Sequence, residues 1–116
     1  MIKKHLASYR FAMRGILQAF RYERNMAIHS LASLAVLITN YVLGISRTEW
    51  IITVLLIGAV WSAEVFNTAI EKLADRVSKD FDPMVGLVKD LAAGAVLIVC
   101  FTAVVCAVFI YWPYLF

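Results

Sequence analysis

Residues 50–77 read WIITVLLIGAVWSAEVFNTAIEKLADRV, an apolar run long enough to cross a bilayer that nevertheless carries Glu64, Asn67, Glu71 and Asp75. Counted from Glu64, the four polar residues fall at offsets of 0, 3, 7 and 11, the spacing that stacks side chains along one stripe of a helix. A charged group at membrane depth costs roughly 2.5–3.5 kcal/mol on insertion scales, so an intramembrane carboxylate is by default a functional residue with a partner. A polar stripe on a lipid-crossing helix needs something polar to face.

Composition extends this reading to the whole chain. Of 116 residues, 63% are hydrophobic and only 16% charged, with a mean hydropathy of +0.82, which makes an integral membrane protein with room for a single domain over residues 1–116. Apolar runs at 28–45, 50–70 and 91–111 each approach the roughly 20 residues that span the hydrocarbon core as a helix. The first run is interrupted by His29, Ser30, Ser33, Thr39 and Asn40, so it is expected to face other helices rather than lipid. Ahead of it, over residues 3–24, Leu6, Tyr9, Met13, Ile16, Leu17 and Phe20 recur at helical spacing beside Lys3, Arg10, Arg14 and Arg21. That pattern predicts an amphipathic helix on an anionic membrane surface, whose basic side also suits an anionic ligand. The expected fold is therefore all-α: a surface helix followed by three transmembrane helices.

Basic residues set the expected topology. Lys3, Lys4, Arg10, Arg14, Arg21 and Arg24 precede the first span; Lys72, Arg76, Lys79 and Lys89 lie between the second and third; only Arg47 lies elsewhere. The positive-inside rule puts the N-terminus and the second connection in the cytoplasm and the C-terminus outside, as for a multi-pass membrane protein. Tyr111, Trp112, Tyr114 and Phe116 suit the outer interface as an anchor. The first twenty residues lack the apolar core and small-residue site of a cleavable signal peptide. Cys100 and Cys106 are too far apart along a helix for a disulfide and are expected to serve as small packing residues. Gly44 suits a helix end, Ser46 or Thr48 a cap and Glu49 a first helical turn. Around 78–88, Asp80, Asp82 and Pro83 mark a cytoplasmic reversal, with Pro83 placed to start a helix.

The cytoplasmic side is rich in carboxylates: Glu23, Glu71, Asp75, Asp80, Asp82 and Asp90. Carboxylates together with water and phosphate oxygens are the ligands magnesium prefers, and two protein carboxylates suffice when a nucleotide supplies the rest. The plainer alternative for Glu71 and Asp75 is pairing with Lys72, Arg76 or Lys79 on a solvated helix end. Glu64 has no basic residue within one turn and lies about 10 Å deeper than Glu71, at the level where a membrane lipid alcohol presents its hydroxyl. That position suits a general base for phosphoryl transfer at the membrane surface. Phosphate-binding loops, protein-kinase signatures and dinucleotide fingerprints are absent. The Lys89–Asp90 pair suits a phosphate contact or an ordinary helix-start ion pair.

The run Glu64-Val-Phe-Asn67-Thr-Ala-Ile-Glu71, with Asp75 and then Val88-Lys89-Asp90-Leu-Ala-Ala-Gly-Ala-Val-Leu, closely resembles the prokaryotic diacylglycerol kinase family. The likeness covers nearly the whole chain, including Arg14-Gly15 and Glu23-Arg24-Asn25. The stretch from Glu23 to His29, together with Asn67-Thr68-Ala69 and Ala92-Ala93-Gly94-Ala95, looks more like the branch of undecaprenol kinases. The resemblance implies a homotrimer with shared active sites that phosphorylates a lipid hydroxyl with ATP and magnesium. It implies Glu64 as proton acceptor and a contact of the lipid substrate, Glu23 and Glu71 as metal ligands that also meet ATP, and Asn67, Lys89 and Asp90 at the ATP site. Asp80 and Phe81 resemble the family's nucleotide contacts. Asp82 stands where a histidine is usual, and Lys4 and Phe11 replace an arginine and a tyrosine. No nucleic acid partner is expected.

Readings of other classes are a small proton-coupled multidrug transporter, or a structural subunit whose Glu64 pairs with a partner protein. Such transporters need a fourth span and place the carboxylate in the first. Diacylglycerol is the alternative lipid to undecaprenol, since both present one primary hydroxyl.

Overall fold

The computed structural model describes residues 1–78, 80 and 82–116. Among these the chain is all helical, with four helices: α1 (Ile2–Tyr22), α2 (Arg24–Leu43), α3 (Arg47–Val77) and α4 (Pro83–Leu115). The last three are long and apolar enough to cross a membrane. At 1.5 Å per residue, α3 and α4 run about 46 and 50 Å, beyond the roughly 30 Å of hydrocarbon. Their polar ends, bearing Glu71, Asp75 and Lys89, can therefore stand clear of the membrane while the apolar parts stay inside it.

Each boundary has a local chemical cause. Glu23 is a one-residue elbow, with extended backbone (φ −100°, ψ 122°) between α1 and α2, so α1 stops at Tyr22 rather than at 24. Gly44 ends α2 in the left-handed region (φ 63°, ψ 48°). Its N–H reaches the Tyr41 carbonyl and that of Ile45 reaches Asn40, both at 3.3 Å, a paired closure that a β-carbon would strain. Ser46 then starts α3. Its Oγ accepts from the Glu49 N–H at 3.2 Å and Glu49 Oε1 accepts from the Ser46 N–H at 3.0 Å, a reciprocal capping box. Asp82 Oδ1 accepts from the Met84 N–H at 2.9 Å with Pro83 in the first turn, where its missing N–H costs nothing.

Polar contacts hold the helices together, as expected where lipid removes the hydrophobic drive for helix association. Trp61 Nε1 donates to Ser33 Oγ at 3.1 Å, joining α3 to α2. The Trp61 ring also meets Phe20 edge-on with centroids 5.0 Å apart, seating the end of α1 on α3. Near the Gly44 turn, fully buried Asn40 donates to Thr53 Oγ1 at 3.0 Å and accepts from the Tyr111 hydroxyl, so one amide ties α2, α3 and α4. Tyr114 donates to Glu49 at 2.5 Å. These two tyrosines are thus interhelical ties and not merely an interfacial anchor. Of the polar residues expected to turn α2 inward, Ser33 and Asn40 are buried and His29 and Ser30 half-buried, whereas Thr39 is exposed. Thr39 escapes the rule because its hydroxyl bonds back to the Ala35 carbonyl at 2.8 Å, which satisfies it without a neighbouring helix.

A soluble chain of this mass would expose about 6,300 Å²; this one exposes 9177 Å². Its radius of gyration, 17.4 Å, likewise exceeds the about 13 Å of a compact domain of this length. The single chain offers extensive apolar surface to lipid or to other subunits.

Candidate active site

The polar stripe of α3 divides in two. Glu64 and Asn67 are buried, at 3% and 5% exposure, while Glu71 and Asp75 are exposed. Glu64 is not unpaired: His29 of α2 brings Nε2 to 3.5 Å from Glu64 Oε2. Asn67 Nδ2 donates to Glu71 Oε1 at 3.2 Å, the contact that the one-turn spacing provides. Among the described residues, Asn67 Oδ1 is the buried side-chain polar atom left without a partner. A buried acceptor without a partner is uncommon.

The cations on this side do not pair along α3 as helical spacing suggests. Lys72 Nζ reaches Glu23 Oε1 at the α1–α2 elbow, 3.2 Å away, and Lys89 of α4 bonds Asp75. Four polar pairs, Glu64–His29, Asn67–Glu71, Glu23–Lys72 and Asp75–Lys89, therefore follow one another along about 16 Å of α3. They lead from the apolar span to the Asp82 turn. Position on three separate helices and one elbow is what brings them together.

An apolar cavity of about 280 Å³ lies between α2, α3 and α4, lined by His29, Ser33, Val60, Cys100, Val104 and Tyr111 among others. His29 thus touches both the buried carboxylate and the cavity. Cys100 and Cys106 are free and half-buried, and Cys100 lines the cavity.

Other residues singled out from the sequence lie apart. Lys4 and Phe11 are exposed on α1, about 28 and 18 Å of helix from Glu23. Asp90 is exposed beside Lys89. The Asp80 carbonyl accepts from Ser78 Oγ at 2.9 Å, and one Asp82 oxygen is committed to capping α4. Phe81 lies outside the described residues. Among the described residues, no three His, Cys, Asp or Glu side chains gather into a metal-binding cluster. The donors present are Glu23, Glu71 and the free Asn67 oxygen, all hard oxygen ligands, which fit a magnesium ion carried in by phosphates rather than a protein-only cage.

Sequence spacing did not reveal His29, whose polarity explains only that it turns inward, nor the Glu23–Lys72 and Asp75–Lys89 pairs. All three need the fold. Asn40 and Tyr111 carried a weaker signal, as an amide and an aromatic interrupting or ending apolar runs.

Comparison with known proteins identifies the family. Residues 10–111 match the family described as prokaryotic diacylglycerol kinase. An undecaprenol kinase of Bacillus subtilis is 37% identical over 112 residues, covering 97% of this chain and 91% of that protein. A diacylglycerol kinase of Synechocystis is 33% identical over 101 residues, 86% of this chain and 58% of that longer protein. The chain belongs to the prokaryotic diacylglycerol kinase family, a family of membrane lipid kinases.

Proposed function

We propose that this single-domain chain phosphorylates undecaprenol with ATP and magnesium at the cytoplasmic face of a bacterial inner membrane. The observation that carries it is Glu64: a carboxylate at 3% exposure, in contact with a histidine that lines an apolar cavity. A buried carboxylate beside an apolar slot suits a lipid with one hydroxyl. Undecaprenol is preferred to diacylglycerol because the Bacillus relative, similar over nearly its whole length, bears that name.

Glu64 would take the proton of the lipid hydroxyl as its oxygen bonds to the γ-phosphorus and the bond to the β-phosphate oxygen breaks, leaving ADP. Glu23 and Glu71 would hold the magnesium ion, which when bound neutralises phosphate charge. Asn67 would aim its free amide oxygen into the site while its Nδ2 steadies Glu71. Lys89 and Asp90, together with Asp80, Phe81 and Asp82, would face the nucleotide. Lys4 and Phe11 lie too far along α1 to meet Glu23 of their own chain, which supports a homotrimer in which α1, lying on the cytoplasmic surface as an amphipathic helix, serves a neighbour's site. The apolar surface left exposed supports the same assembly. The N-terminus would be cytoplasmic and the C-terminus outside.

The experiment is incubation of purified full-length protein with γ-labelled ATP, magnesium and each lipid separately. Label transferred to undecaprenol supports the proposal. Transfer to diacylglycerol alone moves the substrate to the second reading, and ATP consumption independent of any lipid rejects both.

A further inference from the structure

Among the described residues Glu64 is the most deeply buried charged one, and the group opposite it, His29, has no part in the chemistry described so far. A carboxylate taken out of water is costly unless its charge is hydrogen-bonded. His29 Nε2 stands 3.5 Å from Glu64 Oε2, with side-chain exposures of 20% and 4%. His29 is also held in place: its own carbonyl accepts from Ser33 Oγ at 2.7 Å, and Ser33 Oγ in turn accepts from Trp61. Trp61 lies one turn before Glu64 on α3. These bonds tie the α2 backbone at His29 to the turn of α3 that precedes Glu64, and the imidazole itself meets the carboxylate across that joined interface. His29 also lines the apolar cavity, so it borders both the carboxylate and the slot proposed above for the lipid.

We infer that His29 is the positioning residue of the phosphoryl-transfer reaction: its Nε2–H faces Glu64 Oε2 as a donor, giving that buried carboxyl group a polar partner and turning Oε1 toward the lipid hydroxyl. The inference rests on Glu64 being the general base. In the step itself one proton passes from the lipid hydroxyl to Glu64, the lipid oxygen bonds to the γ-phosphorus, and the γ-phosphoryl parts from the β-phosphate oxygen. His29 keeps its own proton throughout. It supplies orientation and a fixed dipole, and so differs from a base that exchanges protons with the substrate. Histidine suits the place because it combines a donor with a flat ring that can border an apolar cavity. A lysine would bring a full charge that the cavity wall leaves unsolvated.

The test uses full-length protein in lipid nanodiscs, with initial rates measured against lipid and against ATP, and melting followed separately. His29→Phe keeps a ring and removes the donor; its kcat is expected to fall on the order of 10- to 100-fold, with the KM for ATP changed by less than about twofold. His29→Gln keeps an N–H donor and is expected to recover at least about a third of the lost rate on a logarithmic scale. Melting gives an independent reading. His29→Phe should lower the melting temperature in the wild-type background, where it strands a buried carboxylate, and should leave it unchanged in the Glu64→Gln background, where no charge needs a partner. Equal loss in Phe and Gln variants, equal destabilisation in both backgrounds, or an unaltered kcat in His29→Phe would each overturn the inference. Should Glu64→Gln itself stay active, the general-base reading falls first. Should it be inactive while His29→Phe is not, only the role of His29 falls.

Discussion

Lys72 of α3 holds Glu23 at 3.2 Å across the one-residue elbow where α1 turns into α2. The pair is half in solvent, with side-chain exposures of 61% and 27%, so it is worth at most about 1 kcal/mol to the fold. Its consequence is positional: a residue outside every helix is brought beside the turn of α3 that carries Glu71.

If Glu23 and Glu71 share a magnesium ion with the nucleotide, Glu23→Ala and Glu71→Ala should raise the magnesium concentration for half-maximal rate by about tenfold or more. Lys72→Met, which removes the cation but neither carboxylate, should leave that concentration within about threefold. Titrating magnesium at fixed ATP distinguishes the three variants. Saturation of Glu23→Ala at the wild-type magnesium level would refute its assignment as a ligand.

Glu64→Gln preserves the size of the side chain and removes proton acceptance, so turnover should fall by about 10²- to 10⁴-fold. Burying an amide is less costly than burying a carboxylate, and thermal stability in detergent should hold or rise. Rate and melting temperature measured on one preparation check both halves. Retention of more than about a tenth of the activity is incompatible with a general-base role.

Stability is expected to concentrate at the opposite end of the molecule. Tyr111→Phe strips the donor from the buried Asn40 carbonyl oxygen, and Asn40→Ala removes both that bond and the 3.0 Å bond to Thr53. Interhelical hydrogen bonds in membranes average about 0.6 kcal/mol and reach about 1.7. We expect roughly 0.5–1.5 kcal/mol for Tyr111→Phe and more for Asn40→Ala, read as reversible unfolding in mixed micelles. Thr39→Val, on the exposed side of the same helix, should fall within about 0.5 kcal/mol of wild type. Equal effects at Asn40 and Thr39 would remove the ground for treating the Asn40 network as the tie among α2, α3 and α4.

Hydropathy, capping residues and turn chemistry were enough to place three apolar helices, the Gly44 closure, a cap at Ser46 or Thr48 and the Pro83 start, because each depends on neighbours within a few positions; the structure chose Ser46 and added its box with Glu49. The stripe of α3 was readable for the same reason. What could not be read was whatever depends on how helices face one another: His29 opposite Glu64, Lys89 opposite Asp75, Tyr111 on Asn40. Residue type indicated that these side chains need partners. Only the packing says which, and Thr39 shows that a polar residue in an apolar helix can satisfy itself through its own backbone.

The lipid itself is the sharpest remaining prediction. A site at the membrane interface contacts the hydroxyl and the first few carbons of its substrate, and the cavity of about 280 Å³ beside His29 is small against either lipid. Discrimination must then come from a few apolar contacts, each of methylene size worth about 1–3 kcal/mol. A linear isoprenoid next to its hydroxyl is narrower than a glycerol carrying two ester groups. Val60, Cys100 and Val104 of the cavity wall offer no strong donor, and the Ser33, Thr53 and Tyr111 hydroxyls on it already donate within the protein, so the ester oxygens of a diacylglycerol seated there would lack donors, which costs binding. Undecaprenol should therefore show a kcat/KM at least about tenfold above that of diacylglycerol at equal surface fraction in mixed micelles. Placing a donor in that wall, as in Val104→Ser, should narrow the gap by improving diacylglycerol. A tenfold preference for diacylglycerol in the wild type would reverse the substrate assignment and leave the roles proposed for Glu64, Glu71 and Glu23 to stand on their own tests.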